Sequence, residues 1–468
     1  MMQDLLSIGA VARARGAAPS SRLRSLVEED ALAIAVVAIW SVLLASRLPA
    51  FFVPDSWLTL VDGRLIARSG LPHVDMLTAW TLGRPWTDQQ WGAHLAFYGV
   101  VCVGGTVAAG ALALACAVGA VATAAVTARK LGASPRSTAI TALLPLVGAP
   151  WMAEVRTQTL VLVPFVVVYG LLALDARSPG RRVLLVLPLL VLWANLHGSV
   201  VLMSGLAAMY GLHRLRATPG RATALTLVVG AGLAPFASPY SFDLVRYYRG
   251  ILLNPVLARI DSEWKPFALD RSTVAFALSA LAVAALIGRN RHALTSFEQW
   301  ALPLLLVLAV SGVRHIVWFE LAAAVSLPRL LDDAWPAEPP TAAVRKVNTG
   351  LVPLVMAVAG LLVALQLAKP SARLEPAPVV TAAAVAAAST PGTLVVADDV
   401  RADWLLWHEP ALAGRLAYDV RFELYKGDEL IRLVSVQQPS SAFWRRCGPA
   451  RARFRALAVV VPKAACNL

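Results

Sequence analysis

The stretch PDSWLTLVDGRLIARSGLPHVDMLTAWTLGRPWTDQQW, residues 54–91, decides how the rest of the chain is read. It follows a long apolar segment and carries Asp55, Asp62, Arg64, Arg68, Asp75, Arg84 and Asp88, too many charges for a bilayer crossing. Trp57, Trp80, Trp86 and Trp91 run through the same stretch. Indole rings favour the headgroup region while charged heads stay in water, so the pattern predicts a large loop lying on a membrane surface. Within it, SWLTLVDGRLIARSG reads as a surface helix.

Composition extends that reading outward. The chain has 468 residues, 58% hydrophobic and 15% charged, whereas an ordinary soluble domain is about 25% charged. Apolar runs of roughly 15 to 25 residues recur from position 31 to 368, the pattern of helices crossing lipid. The fold class expected is mainly α: a polytopic transmembrane helical bundle of about eleven spans, with a large first outer loop and a small C-terminal α/β domain. The formal net charge is +14, and many of the arginines stand at the ends of apolar runs. Cytoplasmic retention and anionic headgroups account for that excess, and nucleic acid is not expected as a partner.

Basic clusters give the sidedness. Arg13, Arg15, Arg22 and Arg24 lie in residues 1–30, read as a loose cytoplasmic tail, and place the 54–91 loop outside. Spans near 159–174, 183–196, 198–212, 222–238, 273–288, 298–311, 314–330 and 349–368 put four clusters inside, headed by Arg177, Arg214, Arg289 and Arg345. The same spans put Glu154, His197, the 239–271 loop and Arg314 outside. Between Trp91 and Pro150 an even number of passes is needed: Arg129, Lys130 and Arg136 favour one long broken pass followed by a short one, and two passes plus a half-inserted segment, broken at Gly104 and Gly105, fit the lengths equally well. Residues 31–368 form the membrane domain on this reading.

After Lys369 a Pro-rich linker leads to residues 369–468, expected to be extracytoplasmic. TLVVAD, GRLAYD and FRALAVVVP are candidate buried strands, with helical pattern between them. Cys447 and Cys466 could close the tail as a disulfide in an oxidising compartment.

Phosphate-loop, HExxH, CxxC and GxSxG motifs are absent. What remains is a set of ionisable residues gathered on one face: Asp55, Glu154, Arg156, His197, Glu263, Arg314 and His315. Such groups near a bilayer tend to line a cavity or site. Asp55 can cap the helix that follows it or serve as a general base. Arg314 and His315 can clamp a phosphate as adjacent cations, or Arg314 can simply snorkel to headgroups. His197, in WANLHGS, is either a packing residue or a ligand. Residues 238–267 alternate aromatic and charged side chains, suited to a sugar or lipid headgroup. Asp55 and Glu154 offer hard oxygen donors to Mg²⁺ or Mn²⁺, without the spacing that would identify a metal site.

In the order PDSW, GRLIARSGLPHVD, GRPWTDQQW, WANLHGS, SPYSFDL, SEWKP and VRH, the chain resembles the polyprenyl-phosphate-dependent membrane glycosyltransferases of the GT-C fold. That family includes protein O-mannosyltransferases, aminoarabinose transferases and oligosaccharyltransferases, and the match covers most of residues 31 to 435. The resemblance implies that Asp55 is the catalytic base, that Glu154 assists it, and that a polyprenyl-phosphate sugar donor enters from the lipid. The acceptor would be a glycan, lipid or protein. One departure is visible: Val53 and Pro54 precede Asp55, without a carboxylate two positions earlier, which leaves metal dependence open. Two rival readings stand beside it. One is a lipid or polysaccharide transporter. The other is a non-catalytic scaffold in which Asp398, Asp399, Asp419, Arg421 and Glu423 matter more than Asp55.

Overall fold

Proline and glycine punctuation sets the helix ends. The computed structural model describes residues 27–216, 220–254, 256, 263–271, 273–336, 338–436 and 458–462. Helix α1, Ala31–Ser46, ends before a short 3₁₀ turn, and α2, Pro54–Ser69, opens with Pro54 in its first turn and stops at Gly70, whose φ of 80° suits a residue without a Cβ. Helix α3 runs from Trp91 to Lys130 and bends at Gly105, φ 68°, so the expected break is present as a kink within one long helix.

Each of the eight apolar segments after Glu154 contains a helix. These are α4 (Leu162–Arg177), α5 (Val186–Ala194), α6 (Val200–Arg214), α7 (Arg221–Leu233), then, after the outer helix α8 (Asp243–Leu252), α9 (Val274–Asn290), α10 (Ser296–Ser311), α11 (Ile316–Ala334) and α12 (Ala342–Leu367). Four described helices are long and apolar enough to cross a membrane: Trp91–Lys130, Thr157–Arg177, Val274–Ala293 and Ala342–Leu367. Helix α11 is buried on every side from Ile316 to Leu330, Glu320, Ser326 and Arg329 included. It is the axis on which α3, α4, α9 and α10 pack. Helix α12 lies at the periphery against α1.

The C-terminal segment folds onto the loop of residues 54–91. Strand β1 (Thr393–Ala397) precedes helix α13 (Asp399–His408) and helix α14 (Gly427–Val436), and pairs antiparallel with strand β2 (Ala458–Pro462). The expected strand GRLAYD is reduced to bridges at Leu416, which joins Val395 on one side and Thr78 of the outer loop on the other. The loop therefore completes the β structure: Ala79 N–H donates to the Leu416 carbonyl at 2.6 Å, and Ala417 N–H to Val395 at 2.8 Å. Arg64 donates to the carbonyls of Leu406 and Trp407 at 2.5 and 2.6 Å, closing the C-terminus of α13.

This packing corrects the expectation that the loop tryptophans sit among headgroups. Trp57 is buried with Leu60 and Leu77 against Val395, Trp404 and Leu405, and Trp86 with Leu394 and Tyr418. Trp80 stacks on Tyr418 at 5.8 Å. The C-terminal segment offers these rings apolar partners, so burial in protein replaces the membrane interface. Cys447, Cys466 and Arg13 through Arg24 lie outside the described residues.

The α2–α3 contact is close enough to require glycine. A Cβ on Gly63 would stand 2.2 Å from the His94 carbonyl oxygen. Gly63→Ala must push two helix backbones apart, and we expect a loss of about 1–3 kcal/mol, read as a lowered Tm in detergent. An unchanged Tm would mean that this contact yields freely.

Candidate functional site

The site is built around a cavity of about 400 Å³ lined in part by the 54–91 stretch. Asp55, Arg156, His197, Glu263, Arg314 and His315 all line it. Glu154 stands behind Arg156, its carboxylate 3.4 Å from the guanidinium. Residues dispersed over the chain thus meet at one place because α2, the turn after Ala153, the α5–α6 turn and the α10–α11 turn all end there.

Arg156 is the centre of the acidic side. Its Nη2 meets Asp55 Oδ2 at 2.5 Å and Glu263 Oε2 at 3.0 Å, while Nη1 pairs with Glu263 Oε1 as well as with Glu154. Asp55 lies in the first turn of α2, whose N-cap is Val53, and its described ion-pair partner is Arg156. One guanidinium therefore serves three carboxylates. Burial pushes Glu263 up, but its charge and hydrogen-bond contacts with Arg156, together with the charge of Arg314, hold it below the usual range. Glu154, at the longest contact, is pushed up to about 7 by burial against the weaker pull of Arg156, with Glu263 adding to the rise.

That shift fixes a sign. Folding binds a proton at Glu154 that the unfolded chain, with an ordinary carboxyl, has released. The contribution is full below about pH 4.5 and is lost as pH rises through about 7. We expect Tm to fall between about pH 5 and pH 8 and Glu154→Gln to flatten the slope, with a ceiling of about 3 kcal/mol. A wild-type and Glu154→Gln pair with parallel pH–Tm curves would contradict this.

The cationic side is carried by Arg314. Its guanidinium lies 4.2 Å from the Trp264 ring, and its backbone N–H donates to the Glu263 carbonyl at 3.1 Å, so one segment carries both the acidic and the cationic walls. Burial and the adjacent Arg314 push the His315 imidazole down to about 4, toward its neutral form. His197 is likewise held well below its ordinary value, by burial first and Arg314 second. Its Nδ1 accepts from the Ser199 N–H at 3.2 Å and lies 2.7 Å from Ser199 Oγ. This arrangement puts the remaining hydrogen on Nε2 and makes His197 a neutral donor.

The WANLHGS turn is anchored to the start of α3. Gly92 N–H and Trp91 Nε1–H donate to Asn195 at 3.0 and 2.9 Å, and a Cβ on Gly92 would lie 2.6 Å from the Asn195 carbonyl oxygen. Sequence reasoning did not place Gln90, Tyr247, Tyr248, Trp318 and Glu423 on the cavity wall, which they line. Tyr247 and Tyr248 fall in the aromatic and charged 238–267 segment, a signal too diffuse to single them out.

Among the described residues, Asp55 and Glu154 do not belong to a group of donor atoms spaced to share one Mg²⁺ or Mn²⁺ ion. Arg156 already supplies the cation that Asp55, Glu154 and Glu263 share.

No protein-family model and no curated protein matches this sequence. Among solved structures, the chain is similar to an oligosaccharyltransferase from Archaeoglobus fulgidus, crystallised with an acceptor peptide containing the NVT sequon tethered through a disulfide. The TM-score is 0.45 at 12% identity, over 83% of this chain. The chain spans 64% of that protein's length.

Proposed function

We propose that this chain is a multi-pass membrane glycosyltransferase that moves a hexosyl or pentosyl group from a polyprenyl-phosphate donor to an extracytoplasmic acceptor, with inversion at the anomeric carbon. The observation that carries the reading is the convergence of the Asp55 carboxylate with Arg314, His197 and His315 around one cavity. The motif resemblance supplies the reaction class, and the apolar helices supply the membrane. About eleven spans, a cytoplasmic tail over 1–30, a membrane domain over 31–368 and an extracytoplasmic region over 369–468 complete the proposed topology.

In this mechanism the donor's phosphate lies near Arg314 and the neutral His197 and His315 donors, and the acceptor approaches from the Asp55 side. The acceptor oxygen forms its bond to the anomeric carbon as the bond from that carbon to the phosphate oxygen breaks. Asp55 takes the acceptor's proton, and the electron pair leaves with the phosphate, where Arg314 stabilises the growing negative charge. Arg156 holds Asp55 in place through the 2.5 Å ion pair. Ile251, Leu252 and Leu308 on the cavity wall offer apolar contact for the first isoprene units.

The test is incubation of the purified protein with a panel of polyprenyl-phosphate sugars, scoring release of polyprenyl phosphate and transfer to added membrane acceptors. Turnover of at least one donor is expected. Inertness toward the whole panel, in protein shown to be folded, would favour the transporter or scaffold readings.

A further inference from the structure

A second polar cluster lies beside the same cavity, which its His94 also lines. Asp62 on α2, Asp88 in the turn before α3 and His94 in the first turn of α3 are all buried, and one donor atom from each falls within 4.8 Å of the others. His94 Nδ1 lies 3.0 Å from Asp88 Oδ2 and 3.8 Å from Asp62 Oδ2.

The hydrogen bonds leave one group unsatisfied. A single hydrogen on His94 Nδ1 serves Asp88, whose other oxygen accepts from the Gln90 N–H at 3.1 Å. Both carboxylate oxygens of Asp62, a side chain fully removed from solvent, have no hydrogen-bond partner. Arg421, the other nearby cation, hydrogen-bonds through Nε and Nη2 to Asp75 and Asp419, and none of its bonds reaches Asp62. A buried carboxylate in this position demands a compensating cation or a proton.

We propose that Asp62, Asp88 and His94 hold a divalent cation of the Zn²⁺ or Mn²⁺ kind. Two carboxylates and an imidazole suit ions of this borderline type better than Ca²⁺ or Mg²⁺, which prefer all-oxygen shells. Ligand distances of about 2.0–2.2 Å place neighbouring donors of such an ion roughly 3–3.5 Å apart, a range that the 3.0 and 3.8 Å separations at His94 bracket. The Asp88 bond to Gln90 orients its carboxylate, as outer partners do in metal sites. The ion would staple α2 to α3 beside the Gly63–His94 contact and so hold Asp55, two turns upstream on α2, at the cavity. It is a positioning site, and it stands independently of the transferase reading.

The test uses the full-length protein in detergent, stripped with chelator and then titrated with Zn²⁺, Mn²⁺ or Co²⁺. We expect about one bound metal per chain by elemental analysis, a Tm raised by several degrees, and a visible Co²⁺ band. Asp62→Asn and His94→Gln should lose the bound metal, the band and the Tm response, while Glu263→Gln keeps all three. The proposal is overturned if the stripped wild-type protein binds no metal and shows no Tm response, which would leave Asp62 as a buried protonated acid. It is equally overturned if Asp62→Asn and His94→Gln bind as the wild type does, which would move the metal elsewhere in the chain.

Discussion

Asp55→Asn is expected to lower transfer by about 10²- to 10⁴-fold, the range a positioned general base supplies, while leaving the protein folded. The two side chains are nearly isosteric, and the asparagine oxygen can still accept from Arg156. What disappears is a group able to take a proton from the acceptor. Folding should survive because Asp55 is 40% exposed and Arg156 keeps its bonds to Glu263 and Glu154. The loss belongs in kcat more than in KM, since the acceptor's proton moves only as the bond forms. Single-turnover transfer with a competent donor, beside a Tm and size-exclusion profile, makes the measurement. A variant that turns over at near wild-type rate would remove Asp55 from the chemistry and leave the cavity as a binding site alone.

How much of this was legible in the sequence differs from element to element. The membrane helices were written in apolar runs bounded by Arg, Pro and Gly, and even the bend at Gly105 was visible, because glycine interrupts an otherwise continuous helical pattern. Asp55, Arg314 and His197 stood out for a related reason: each breaks a run at an end that alternation of the basic clusters places on one face. Arg156 was singled out, but nothing in its neighbourhood announces that it would be shared by Asp55, Glu154 and Glu263. Nor could the sequence set the charge of His197 and His315. Their neutrality follows from burial beside Arg314, a tertiary property with no local signature. The tryptophans misled for the opposite reason. Trp and charge alternate in the same way on a membrane surface and in a loop covered by another part of the chain, and the covering segment lies more than three hundred residues away.

Arg421→Met should be the most damaging substitution outside the membrane helices, costing about 3–5 kcal/mol. Arg421 is 1% exposed, and its Nε and Nη2 reach Asp419 at 2.9 and 2.6 Å while Nη2 also reaches Asp75 at 2.7 Å. Its guanidinium lies 4.5 Å from the Trp86 ring. Asp75 belongs to the 54–91 loop and Asp419 to the C-terminal segment, so the arginine ties the two together, and Arg421 itself lines the cavity. Burial alone would push the Asp75 carboxyl up. Arg421, helped by Thr81, Leu77 N–H and Thr78, brings it below the ordinary range instead. Methionine fills the volume but leaves two buried carboxylates without a cation. We expect a lower Tm, weaker accumulation, and faster proteolysis within residues 71–90 as the loop detaches. Arg421→Lys should recover little, because a point charge cannot reproduce the fork to both aspartates. The diagnostic comparison is the triple change Asp75→Asn, Asp419→Asn, Arg421→Met. If uncompensated charge is the cause, removing all three ionised groups should restore part of the Tm lost in Arg421→Met. If the triple variant is no more stable than the single one, the arginine acts through packing against Trp86 and not as the electrostatic clasp between loop and C-terminal segment.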